Sequence, residues 1–266
     1  MKKTKFFSEL ALSLKKALKL HKFPGELWGR TPDKKRDWGN VSEHCLVEAV
    51  RAETIADLLH LPEQTKNDLK LAAALHDYDK KHEILETKKA MKTGEAVLPA
   101  LEPIKEKARK NIEAAGFDGS VIDIFESAGG YPETMIKIKD IVDKERVSDQ
   151  ELSMLIMNYV DAYTHGSSWV NPTEQSGDEV LNDLDRKIIK IANNPTYAKL
   201  RAEAREQLKH APFFKDKSDT EALVAIGHSI EKKLATLISE RSGVKMDPIQ
   251  LPEKIDEMIK NKISQI

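Results

Sequence analysis

The sequence predicts an all-α fold, a bundle of helices around one core. Three observations predict it. Apolar residues recur at three- and four-residue intervals along most of the chain, the spacing of a helix face. Proline and glycine turn signals separate segments of helical length. No run alternates apolar and polar residues in the manner of a strand. With 266 residues, 40% hydrophobic and 33% charged, the chain can bury one large core beneath a heavily charged surface.

The elements follow in order. Phe6, Phe7, Leu10, Leu14 and Leu18 mark a basic amphipathic helix, expected to pack on the domain with its lysines in water and to end at Phe23-Pro24-Gly25. Residues 31–40 read as a polar loop. Ser42 reads as an N-cap to a helix over about 43–60, with Leu46, Val50, Ile55, Leu58 and Leu59 as its apolar stripe. Pro62 opens a helix over about 63–76, whose alanine-rich end can pack closely. Further helices are expected at about 80–93, 99–115, 118–127, 149–163, 178–192 and 195–209, with a turn at Gly129-Gly130-Tyr131-Pro132. Two terminal helices fit the stretch 218–266, on either side of residues 244–252. The expected organisation is an N-terminal helix in 1–30, a main domain in 31–215 and a C-terminal helical extension in 216–266.

Bulk properties narrow the function. A formal net charge of -1 gives no reason to expect nucleic acid as a partner, and no stretch reaches the ~20 apolar residues of a membrane span. The start Met1-Lys2-Lys3 leads into an apolar run broken at Glu9 with no small-residue cleavage site, so no export signal is expected. The single cysteine, Cys45, excludes an internal disulfide and a thiolate metal cluster, and fits a reducing, cytoplasmic setting. No base or oxyanion group accompanies it, so it reads as a small buried residue rather than a nucleophile. The sequence also lacks a glycine-rich phosphate loop and a nucleophile elbow. Lys105, Lys107, Arg109 and Lys110 read as a solvated helix face.

The informative constellation is spread over three helices. His44 opens one, His76-Asp77 closes the next, and Asp161 lies near the end of a third. Two imidazoles and two carboxylates suit one divalent ion of the Mn, Fe, Co, Ni or Zn kind. Such an ion activates water and polarises a phosphoryl oxygen. Neighbours such as His76 and Asp77 diverge by about 100° within a helix, but a chain turning at the helix end can aim both inward.

Asn40-Val41-Ser42-Glu43-His44, Leu75-His76-Asp77-Tyr78-Asp79-Lys80 and Tyr159-Val160-Asp161-Ala162-Tyr163-Thr164 together resemble the HD-domain superfamily of metal-dependent phosphohydrolases, whose signature is the order His, His-Asp, Asp. The resemblance spans about residues 38–165. It implies a metal held by His44, His76, Asp77 and Asp161, and a hydrolase for a nucleotide or other small phosphate ester. Around that site, Lys80 is expected to balance phosphate charge, and Asp79 or His82 to protonate the leaving group. Arg36 is expected to grip phosphate, Trp38 to stack on a base, and His165 to line the site. The Arg36–His44 stretch resembles bacterial HD-type 5'-nucleotidases, but this chain carries Lys80 where that group has a glutamate. A second reading is a metal-binding regulatory module with little turnover. Assembly into a homo-oligomer is compatible with the sequence.

Overall fold

A computed structural model describes residues 12–21, 39–166, 183–243 and 245–264. Among these the chain is all-α, with no strand. Arg36 and Trp38 lie outside the described residues, as do most of the expected N-terminal helix beyond its last turns and the start of the helix expected at 178–192.

Helix α1 (Leu12–Leu20) rests on the bundle through the buried side chains of Leu14, Ala17 and Leu18. Just past its end, buried His21 donates from Nε2 to the Ala74 carbonyl at 2.7 Å. Burial pushes His21 down to about 4, against the pull of that bond. The folded chain therefore resists a proton that the unfolded chain takes up below pH ~6.5. The stability from this site is full above that pH and falls by about 3 kcal/mol as the pH drops through ~6 toward ~4. Denaturant melts of the native chain and of His21→Gln, at neutral and mildly acid pH, check this. The variant should lose less stability on acidification, and equal losses would count against the assignment.

Helices α2 (Gly39–Leu58) and α3 (Glu63–Leu75) form the most extensive helix pair. Fully buried Ala72, Ala73 and Ala74 let them approach closely. The cap expected at Ser42 is corrected: the helix already begins at Gly39, and Ser42 and Glu43 are both buried in its first turns. The interior reaches past the residue that a polar surface cap would need. After α3 the chain turns through His76–Asp79, with Lys80 N–H donating to Asp77 O at 3.0 Å, and re-enters helix as α4 (Lys80–Thr93).

Helices α5 (Val97–Ala114) and α6 (Gly119–Phe125) lead to a corner at Gly129, where φ is 82°. A helix the sequence reading did not anticipate follows, α7 (Pro132–Asp143). Pro132 ends the turn but also begins the helix, because a first-turn residue needs no N–H partner. Met135, Ile138 and Ile141 then face the core.

Helix α8 (Asp149–Tyr163) starts at a capping box. Ser148 Oγ accepts from Glu151 N–H at 3.2 Å, and the Glu151 carboxylate accepts from Ser148 N–H at 2.9 Å. Nearly all its residues from Leu152 to Val160 are buried, which makes it the central strut. Around it stand α9 (Asp183–Ala192), α10 (Ala198–Leu208), α11 (Asp219–Ser242) and α12 (Leu251–Ser264). Ile226, Ile230 and Leu234 of α11 and Leu251, Ile255 and Ile259 of α12 join the same core cluster as α2, α3 and α8. Fully buried Arg51 of α2 donates to Asp256 of α12 at 3.3 Å and lies over the Tyr163 ring. Tyr159 OH donates to Glu231 of α11 at 2.9 Å. The C-terminal helices thus brace α8 within one turn of Asp161.

Candidate metal centre

The fold brings three of its ends together. His44 projects from the N-terminal part of α2, His76 and Asp77 from the turn after α3, and Asp161 from the last turn of α8. The His44 and His76 rings meet edge to face, 5.6 Å between centroids. A fifth residue, unforeseen in the sequence, stands between the two rings. Glu48 lies one helical turn after His44 and is fully buried, with one carboxylate oxygen 2.9 Å from His44 Nε2 and the other 2.9 Å from His76 Nδ1.

Hydrogen bonds set the ring orientations. His76 Nδ1 faces two acceptors, the Ala73 carbonyl at 3.0 Å and Glu48. It therefore carries the proton of the neutral ring, the tautomer that leaves the Nε2 lone pair for an ion. That Nε2 is buried with no hydrogen-bond partner, 3.7 Å from Asp77 Oδ2 and 3.8 Å from Asp161 Oδ1. His44 Nδ1 donates to the Gly166 carbonyl at 2.6 Å, which turns Nε2 toward Glu48. A lone pair facing a carboxylate is repulsive unless a cation lies between them. Two ligands bound at about 2.1 Å to one ion stand about 3–4 Å apart, so these separations fit a shared ion. Ligand atoms of His44, Glu48, His76 and Asp161 all lie within 4.8 Å of one another.

In the metal-free chain Glu48 keeps the His76 ring protonated, a second proton that an ion bound at Nε2 would displace. Burial alone would raise the Glu48 carboxyl and lower His76. The two histidines instead hold Glu48 well below the usual carboxylate range, and Glu48 holds His76 well above the usual imidazole range. Asp77 is likewise kept ionised against burial by Lys80 and then by His76. Lys80 Nζ sits 3.0 Å from Asp77 and 3.2 Å from Glu83, and these two carboxylates outweigh burial to keep it cationic. Asp161 is positioned by Gly129 N–H, which donates to Oδ2 at 3.1 Å, and by Lys187, which bonds its backbone carbonyl.

The other expected residues lie around this centre. His82 bonds Asp79, and Asp79 lines a cavity beside the site while His82 does not. Burial, then Lys187 and Arg186, push His165 down to about 4, and His165 lines neither cavity. The Thr164 hydroxyl is buried with no hydrogen-bond partner among the described residues, so it makes no hydrogen bond to Asp161. Cys45 is buried and its thiol is pushed up by that burial, consistent with an inert packing residue. Glu126, a carboxylate at the rim, is taken up by Arg109 at 3.2 Å.

Two cavities meet at Asp77, Lys80, Tyr131 and Asp161. One, of about 400 Å³, is walled by charged side chains of α5 and α7 such as Lys105, Arg109 and Glu133. The other, of about 330 Å³, runs between α4, α5 and α9–α11 and is mostly apolar. Compared with known proteins, the chain matches no protein-family model, no curated protein and no solved structure. The site stands on its own geometry: a largely buried His44–Glu48–His76–Asp161 group that can hold a metal ion, open to two cavities.

Proposed function

We propose that this chain is a metal-dependent phosphohydrolase that cleaves a small phosphate ester, with one divalent ion held by His44, His76, Asp77 and Asp161. The observation that carries the reading is His76 Nε2, a buried ring nitrogen without a hydrogen-bond partner, aimed between two carboxylates. The order of the motif, which resembles the HD-domain superfamily, points the same way. When bound, the ion supplies a Lewis acid and lowers the pKa of a water toward about 7.

The chain's own residues do the remainder. Glu48 and the Gly166 carbonyl fix the two imidazoles, while Gly129 and Lys187 fix Asp161. Lys80 stands where both cavities meet and offers positive charge to phosphoryl oxygens as the ester bond breaks. Water oxygen bonds to phosphorus as one water proton passes to solvent, the P–O ester bond breaks, and the alcohol leaves with a proton. Asp79, held by His82 on the charged cavity, is placed to supply it.

Elemental analysis of the purified chain should find about one divalent ion per molecule, and Asp161→Ala should reduce that to background. Phosphomonoesters, cyclic dinucleotides and nucleoside triphosphates, each screened with Mn²⁺, Co²⁺ and Ni²⁺, test turnover. Metal bound without turnover of any of them would favour a regulatory module. Full metal retention by Asp77→Ala would remove Asp77 from the ligand set and leave Glu48 in its place.

A further inference from the structure

The apolar cavity specifies the alcohol half of the substrate, an inference that rests on the phosphohydrolase reading. Its walls are hydrocarbon: Ile84 of α4, Leu98 and Leu101 of α5, Ile188 of α9, Leu200 of α10 and Leu223 of α11. The hydroxyls of Thr87, Tyr131 and Tyr197 reach it, but the protein itself engages three of its other polar side chains. Arg201 commits all three guanidinium nitrogens, Nε to Asp219 at 2.9 Å and the other two to the carbonyls of Ile191 and Ala192. Asn158 Nδ2 donates to the carbonyls of Ser127 and Gly129. Lys187 is held on Asp161.

A nucleoside placed there would bury base and ribose polar atoms against walls that offer few partners, and an unpaired buried polar group is costly. A hydrocarbon loses nothing by entering. The cavity volume is at the small end of ligand sites, which run from roughly 300 to 1,000 Å³. His44, Asp77 and Asp161 line it as well, so an occupant's polar end can lie at the metal centre. We infer that the substrate is a phosphate ester of an apolar alcohol, alkyl or aryl, whose hydrocarbon fills this cavity while its phosphate sits at the metal centre beside Lys80.

Isothermal titration of the Mn²⁺-loaded full chain with methyl-, butyl-, hexyl-, octyl- and phenylphosphonate reads this directly, because none of these is hydrolysed. The Kd is expected to fall about two- to fourfold per methylene until the cavity is full. The phenyl arm distinguishes an aromatic from an aliphatic occupant. The methylene phosphonate of adenosine should bind no tighter than methylphosphonate. Leu200→Trp, which narrows the wall, should bring the plateau to shorter chains and leave methylphosphonate binding unchanged. Affinity independent of chain length, or tighter binding of the adenosine compound than of hexylphosphonate, overturns this inference alone. Hexanol binding as tightly as hexylphosphonate overturns the phosphohydrolase reading, and this inference with it.

Discussion

On the phosphohydrolase reading proposed above, a Lys80→Ala variant is expected to keep its metal ion and to lose about 10²–10³ in kcat, or ~3–4 kcal/mol of transition-state stabilisation. The two halves of that expectation have separate causes. Lys80 is the cation nearest Asp77, at 3.0 Å. Removing it frees a carboxylate for the ion, so metal content should hold or rise. On the proposed reading the rate should fall because charge accumulates on phosphoryl oxygens as the ester breaks, and no other described lysine or arginine lines both cavities. Lys80→Arg should recover part of the loss, since it restores charge but not the compact geometry of an ammonium between Asp77 and Glu83. Metal content, kcat and KM measured together on the three proteins decide the matter. Loss of metal in Lys80→Ala, or an unchanged kcat, would assign Lys80 to structure alone.

The parts of this molecule written in local periodicity were legible in the sequence. The helix over 149–163 is readable because Leu152, Leu155, Ile156, Tyr159 and Val160 repeat at helical spacing and Ser148 and Glu151 spell a capping box. His44, His76 and Asp161 are readable because each sits at an end of an apolar helix, and those ends converge. Helix α7 was hidden by its own first residue. Gly129-Gly130-Tyr131-Pro132 announces a turn, and the charged residues that follow dilute the three-residue spacing of Met135, Ile138 and Ile141. The Asp79–His82 contact is local and spans less than one helical turn, so it could have been foreseen, yet each residue alone looked like a free acid. The pairing of the cavity lysines and arginines with distant partners, such as Arg201 with Asp219, depends on tertiary packing and has no local signature.

Glu48 was the least legible residue and carries the second large expectation. In sequence it is one acidic residue among several on α2. Its only signals are its place within Cys45-Leu46-Val47-Glu48-Ala49, otherwise apolar, and its position one turn after His44. Packing of α3 against α2 turns it into the residue that contacts both imidazoles. Glu48→Ala is expected to weaken divalent-ion binding by about 10- to 100-fold, because both imidazoles lose the buried carboxylate 2.9 Å from their ring nitrogens. In the metal-free protein it should also cost about 3–5 kcal/mol, since it leaves a buried imidazole cation without its carboxylate. Glu48→Gln separates the two effects. The amide fills the same space with a polar group and no charge, so more of the stability should survive than of the metal affinity. Competition for Co²⁺ against a chromophoric chelator reads affinity, and denaturant melts with excess chelator read stability. If both variants bind Co²⁺ as the native chain does, Glu48 neither ligates nor orients. If Glu48→Gln loses both quantities to the same degree as Glu48→Ala, the carboxylate's charge matters more than its hydrogen bonds, and direct ligation by Glu48 becomes the better account of its place between His44 and His76.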